Sequence, residues 1–321
     1  MIKKIWRDKR VKLLLKLLLT GLALYIVYRK IDVKRMAEVL FHAHIGWLIL
    51  AVLAFAVSKV ISSFRLNHFF RAIKLYISER YNLRLYWVGM FYNLFLPGGI
   101  GGDGYKVYIL NKFFKPPLPH LLSAVLLDRI SGVVALGFLA FLLGIFSSAY
   151  QALPLYTWVV WAGLLLIYPA YYVLVRLLFQ RFRLVFYTTN LQSLGVQLFQ
   201  LICAFFVLQS TATHDHTVDY LVLFLLSSVV AAMPITIGGV GARELVFIFG
   251  YTYLPIDKDA AVAFSVLFFL VSVVNSLFGS SLDIAPPTHA DITAPETNFT
   301  PNKQALPQHI SPPSNKDSFI S

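Results

Sequence analysis

The chain reads as an all-α polytopic membrane protein with about seven to eight transmembrane helices, including two glycine-broken re-entrant segments in an inverted repeat. Three observations predict this. Hydrophobic residues make up 58% of the 321 residues and charged residues only 13%, and mean hydropathy is +0.70. A soluble chain needs roughly a quarter of its residues charged. The apolar residues fall into runs of span length separated by basic loops. One phrase also occurs twice. Pro97-Gly98-Gly99-Ile100-Gly101-Gly102-Asp103-Gly104-Tyr105-Lys106 returns as Pro234-Ile235-Thr236-Ile237-Gly238-Gly239-Val240-Gly241-Ala242-Arg243, at a constant offset of 137 residues. Matched glycine-rich interruptions in two halves of a membrane protein point to a substrate site at the repeat interface.

Residues 1–12 form a basic N-terminus, with Lys3, Lys4, Arg7, Lys9, Arg10 and Lys12. The apolar run after Lys12 is too long for a signal-peptide core and lacks a small-residue cleavage site, so it is expected to stay as the first span, Leu13 to Tyr28. A second span covers Ile45 to Phe64, with Lys59 near its end as a snorkelling residue. A basic connector follows, holding Arg65, Arg71, Lys74, Arg80 and Arg84. The first broken segment comes next. Leu85 to Leu96 reaches only roughly 18 Å as a helix, against a hydrocarbon core of roughly 30 Å. Tyr105 to Phe114 is shorter still, so the pair reads as helix–break–helix, entering and leaving on one side. Further spans cover Leu121 to Ile145, Tyr156 to Phe179 and Leu191 to Gln209. The second broken segment is Val218 to Ile235 followed by Arg243 to Leu254, and a last span runs from Ala260 to Leu282. The transmembrane domain therefore occupies residues 13–282. Residues 283–321, rich in Pro, Thr, Ser and Asn, read as a disordered tail.

Lysine and arginine placement orients the chain. The N-terminus, the 65–84 connector, the 112–115 turn and the 176–183 loop are basic, whereas 147–155 and 210–217 contain no lysine or arginine. This puts the N-terminus in the cytoplasm. The 29–35 loop runs against the assignment, with Arg29, Lys30, Lys34 and Arg35 on the outer side, and is outvoted by four basic loops. Three spans separate the broken segments, so the first enters from the cytoplasm and the second from the far side; the alternative is that Val218 to Ile235 spans fully, which makes the second copy no hairpin and changes the side of the tail.

A break deep in the bilayer frees backbone N–H and C=O groups, which must be buried in protein or line a wet cavity. The helices restarting near Gly102-Asp103 and Gly239-Val240 offer N–H groups and partial positive charge to an anion such as phosphate. Lys106 and Arg243 fall in their first turns, and Arg129 adds a cation within a span. The expected binding set is Gly101, Gly102, Asp103, Lys106, Asp128, Arg129, Gly238, Gly239, Arg243 and Glu244. Plainer readings stand beside it: Asp103 as a helix cap, Asp128 and Arg129 as bundle ion pairs, Lys106 and Arg243 as snorkellers, the glycines as close-packing points, and Glu244 as a partner for a basic residue. Asn93, Gln197, Gln200 and Asn275 read as interhelical hydrogen-bonding residues.

Other chemistry is excluded more simply. Cys203 is the single cysteine, which rules out an internal disulfide and a multi-cysteine metal site. His42/His44 and His214/His216 are alternate pairs in loops, and no acidic or cysteine partners complete a metal set, so no metal or cofactor is expected. Neither a nucleotide-binding loop nor a hydrolase motif is present, so the chain does not read as an enzyme. The net charge of +13 suits anionic headgroups. The basic residues flank spans instead of forming one patch, which argues against nucleic acid.

Asn93-Leu94-Phe95-Leu96-Pro97-Gly98-Gly99-Ile100-Gly101-Gly102-Asp103, Leu127-Asp128-Arg129-Ile130-Ser131-Gly132 and Ile237-Gly238-Gly239-Val240-Gly241-Ala242-Arg243-Glu244 resemble the flippase-like integral membrane family, typified by the membrane half of lysylphosphatidylglycerol synthase, the multiple peptide resistance factor. The resemblance covers roughly residues 10–282. It implies a bacterial or archaeal inner-membrane protein that moves a lipid between leaflets. No folded domain is expected after residue 282, so the aminoacyl transferase is missing and lipid aminoacylation is not expected. The leading expectation is a flippase of an anionic phospholipid or a polyprenyl-phosphate lipid. The alternative is a non-transporting accessory subunit for a lipid-modifying enzyme or glycosyltransferase.

Overall fold

The structure, a computed structural model, describes residues 43–94, 100–152, 154–211, 215–232, 246–247, 250 and 254–292. The expected first span, Leu13 to Tyr28, lies outside the described residues, as does the second glycine phrase. The elements are α1 (Ile45–Ala72), α2 (Glu79–Asn93), α3 (Ile100–Phe114), α4 (Leu118–Gly144), the short α5 (Ser148–Ala152), α6 (Pro154–Leu178), α7 (Phe186–Ser210), α8 (Thr217–Ala232) and α9 (Lys258–Phe278). Five helical stretches among the described residues are long and apolar enough to cross a membrane, whereas Thr217–Ala232 is apolar but shorter.

The bundle has two ends, and hydrogen bonds identify which helix termini meet at each. At the far end the His44 N–H donates to the Ser210 carbonyl at 2.9 Å, joining the start of α1 to the end of α7. There too the Ser148 N–H and hydroxyl donate to the Asp219 carboxylate at 2.8 and 2.6 Å, tying the end of α4 to the start of α8. Tyr220 on α8 binds the Asp257 backbone at the start of α9. At the basic end α1 closes with a Schellman motif. Lys74 takes a positive φ of 64°, its N–H donates to Arg71 O, and the Leu75 N–H donates to Phe70 O, which satisfies carbonyls that would otherwise be orphaned. Ser78 then caps α2 by accepting from the Tyr81 N–H.

Helices α2 and α3 form an antiparallel hairpin. Tyr81 meets Phe114 edge-on near the open end, and Tyr92 stacks on Tyr105 near the closed end. Each helix has 15 residues, about 22 Å. The hairpin thus starts and finishes at the basic end. Helix α8 starts at the opposite end and has 16 residues. Gly250 packs against the Leu223 side chain, and the chain returns through Leu254 and Ile256 to Asp257 beside Tyr220.

The apolar core is divided in two. One cluster at the far end contains Phe55, Cys203, Val207, Phe224, Phe264 and Phe268. The other, at the basic end, contains Leu66, Phe69, Ile77, Leu85, Leu121 and Phe182. Between them α1, α4 and α7 carry buried polar residues: Ser58, Ser62 and Arg65 on α1, Asp128 and Ser131 on α4, and Ser193 and Gln197 on α7. Helix α6 is outermost, with Leu155, Trp158, Leu165, Leu166 and Leu177 exposed, as a lipid-facing surface requires.

Two sequence expectations need correction. Helix α1 does not stop at Phe64 but runs on to Ala72, so Arg65 is a buried helical residue and not part of a connector. The chain after Leu282 is also not featureless at once. Residues 289–291 form a short 3-10 turn, in which the Thr288 N–H and hydroxyl both donate to Asp291 Oδ2. Ile292 pairs with Ile77 in an antiparallel bridge, the Ser78 N–H donates to Asp291 O, and Ile284 packs on the basic-end cluster. Backbone pairing and one apolar anchor hold these ten residues against the start of the hairpin.

Candidate functional site

The polar layer surrounds a cavity of about 340 Å³. Its walls come from the α2–α3 hairpin, from α8 and from α1, α4, α7 and α9. Helix α1 contributes Phe55, Lys59 and Arg65. The hairpin contributes Tyr86, Met90, Asn93, Asp103 and Lys106, and α4 contributes Asp128, Arg129 and Gly132. Gln197 and Gln200 come from α7, Ser228 and Ala232 from α8, and Ser272 and Ser276 from α9. Four basic side chains and two carboxylates line it, among amides, hydroxyls and apolar side chains.

Two ion-pair systems organise the charges. The first centres on Arg65, whose Nε donates to Asp128 Oδ1 at 2.8 Å and whose Nη1 donates to Ser193 Oγ at 3.0 Å. This links α1, α4 and α7. Arg65 is only 5% exposed, and burying such a cation is tolerable because a carboxylate and a hydroxyl both receive its protons. The second system joins the hairpin to α4. Asp103 accepts from Lys106 through Oδ1 at 3.1 Å and from Arg129 Nε through Oδ2. Lys106 also lies over the Tyr86 ring, 4.1 Å from its centre. Lys106 is 4% exposed, whereas 31% of the Arg129 side chain remains exposed. Lys59, expected as a snorkelling residue, instead lines the cavity and sits over the Phe55 ring at 4.4 Å.

The hairpin tip is held by a close backbone approach. A Cβ on Gly102 would collide with the Gly89 carbonyl oxygen, so only glycine permits α2 and α3 to lie this close. The Asn93 side chain then closes the tip, its Oδ1 accepting from the Gly102 N–H at 2.6 Å.

Of the predicted site residues, Gly101, Gly102, Asp103 and Lys106 lie together on α3, and Asp128 and Arg129 lie opposite on α4. Gly238, Gly239, Arg243 and Glu244 lie outside the described residues. Three details differ from expectation. Helix α3 begins at Ile100, so Lys106 sits in its second turn and Asp103 lies within the helix. Asp103 therefore binds side-chain cations in place of capping backbone. The Gly102 N–H is occupied by Asn93 and is not open to an anion. Gln197 and Asn275 make the expected interhelical bonds, donating to Gly132 O at 3.2 Å and to Val52 O at 3.4 Å. Arg65 was missed as a site residue. The signal for it was Asp128 itself, since a carboxylate in mid-span demands a buried cation.

Long apolar helices around a charged cavity define a multi-pass membrane protein with a polar compartment at the mid-height of its bundle. The chain belongs to the family described as the lysylphosphatidylglycerol synthase TM region, whose model matches residues 13–279. Membership makes it an integral membrane protein related to lipid modification. A comparison with curated proteins finds no match.

Proposed function

We propose that this protein is a translocase that carries the anionic headgroup of a phospholipid or a polyprenyl-phosphate lipid across the cytoplasmic membrane, with its N-terminus in the cytoplasm. The observation that carries this reading is the chamber: about 340 Å³, with Lys59, Arg65, Lys106 and Arg129 against Asp103 and Asp128. A phosphate held away from water needs compensating cations, and this wall supplies four basic side chains. The volume suits a headgroup and not a whole lipid, so the chains would stay in the bilayer. The reading includes two re-entrant hairpins of opposite direction: α2–α3 from the basic, cytoplasmic side, and α8 with the segment returning to Asp257 from the far side. Rocking one repeat against the other would expose the chamber to each leaflet in turn. On this reading the protein moves lipid without altering it, and the enzymes that make or use the lipid are separate partners.

The test is reconstitution into liposomes carrying fluorescent anionic phospholipid or a labelled undecaprenyl-phosphate lipid, with leaflet exchange read by quenching. Exchange above that of protein-free vesicles, falling about tenfold or more in Arg129→Ala, supports the reading. Exchange unchanged by that substitution refutes the site. Co-purification with a transferase and no lipid movement would establish the accessory-subunit alternative instead.

A further inference from the structure

We propose that Asp103 is a tethered competitor for the headgroup: a resident anion that holds the site's cations when the chamber is empty and yields Arg129 when a lipid phosphate arrives. This rests on the translocase reading and assigns within it the residue that keeps binding weak enough for release.

The geometry carries the argument. Asp103 spans two cations on different elements, Lys106 one turn further along its own helix and Arg129 on α4. It is the only acidic residue of the hairpin lining the chamber among the described residues. Its two contacts are unequal. Lys106 is almost fully buried and keeps the Tyr86 ring as a second partner. The Arg129 side chain is 31% exposed and lines the chamber. A planar guanidinium binds carboxylate and phosphate by the same forked geometry, so the two anions contend for one donor set. The phosphate can take Arg129 while Lys106 continues to neutralise Asp103, so no charge is stranded in the exchange.

A second observation points independently to an absent ligand. Gln197 Oε1 and Ser228 Oγ have no hydrogen-bond partner, although both residues are more than nine-tenths buried and both line the chamber. Buried polar atoms are ordinarily satisfied, and these belong to α7 and to the second broken segment. A headgroup reaching Arg129 would place its own polar groups within this ring. Asp103 substitutes for only the charged part of such a guest, which leaves the two neutral positions open.

The consequence is a trade between affinity and turnover. With a permanent competitor, each binding event replaces one ion pair by another, and release restores the first. Without it, the phosphate meets no carboxylate contending for Arg129 and remains. Asp103→Asn is therefore expected to bind anionic lipid about tenfold tighter, the usual size of coupling between two groups that share a partner, and to translocate it more slowly. Binding is measured on the full-length protein in nanodiscs of zwitterionic lipid, titrated with fluorescent phosphatidylglycerol and, separately, with a labelled undecaprenyl phosphate. Asp103→Glu, which keeps the charge, is expected to return affinity toward that of the native chain. Because Asp103→Asn also removes a counter-ion from buried Lys106, its melting temperature is read with and without anionic lipid. The lipid-induced rise should exceed that of the native chain. Native protein that prefers anionic lipid, with Asp103→Asn binding equally or more weakly, overturns the competitor role and leaves the translocase reading standing. Native protein with no preference for anionic over zwitterionic lipid removes both.

Discussion

Replacing Asp128 with alanine should destabilise the fold more than any other single change in the polar layer. The carboxylate sits 2.8 Å from Arg65 Nε, and the two side chains are 10% and 6% exposed. At that separation the pair attracts by about 4 kcal/mol or more with an effective dielectric near 20. Asp128→Ala leaves the guanidinium bonded to the Ser193 hydroxyl. Removing one member of a buried pair costs about 3–5 kcal/mol, because the other charge remains out of water. For a chain of this size that corresponds to a fall of roughly 10 °C in melting temperature. The assay is thermal unfolding of the detergent-solubilised protein, followed by circular dichroism and by Trp fluorescence. The double variant Arg65→Met with Asp128→Leu removes both charges and fills similar volume, and should recover most of the loss. A single variant within about 1 kcal/mol of the native chain, or a double variant no more stable than the single, would refute the claim that this pair is buried and coupled.

Gly102→Ala should force the two arms of the hairpin apart, because its methyl group meets the Gly89 carbonyl. A cost of about 1–3 kcal/mol is expected by the same unfolding assay, and a neutral effect would mean the arms are not in contact there. Lys115→Cys and Pro255→Cys, each in a Cys203→Ser background, should react with an impermeant maleimide from opposite faces of sealed vesicles; labelling of both from one face excludes the inverted arrangement. Asp291→Ala should release the turn at 288–291, raising amide exchange at Thr288 and Ser78. The hydrogen bonds from the Thr288 N–H and hydroxyl hold the Asp291 carboxyl below its usual range. The turn's contribution is therefore fully present above about pH 4 and fades as pH falls through the lowered value. Protection of these amides that does not change between pH 7 and pH 3 would contradict this.

Much of the architecture could be read from local pattern. Long apolar runs between basic loops correspond to the long helices, and the glycine phrase marks the break between α2 and α3. The polar residues Gln197 and Asn275 could be given interhelical roles because a lone amide in a span has few alternatives. Hydropathy failed at Phe64, since Arg65, Asn67, His68 and Arg71 lower the local average while the helix continues. Averaging along the chain cannot register that Arg65 is neutralised by Asp128, a partner 63 positions away. The role of Asp103 was hidden for a related reason. An aspartate near a helix start has a ready local explanation as a cap, and only the placement of α4 brings Arg129 to it. The return of 283–292 was obscured by composition, because Pro and Thr also suit a strap held by a few backbone bonds.

The contact at Gly102 is matched by one at Gly279, where a Cβ would collide with the Trp87 carbonyl oxygen. Two places where main chain touches main chain leave no room for sliding, so α2, α3 and the tail of α9 must travel as a single rigid unit. Any movement that opens the chamber alternately to either leaflet then has to be hinged elsewhere. On the translocase reading, the charged seam between Asp103 and Arg129, which lies along the border of that unit with α4, would be the clutch that couples the moving part to the stationary one.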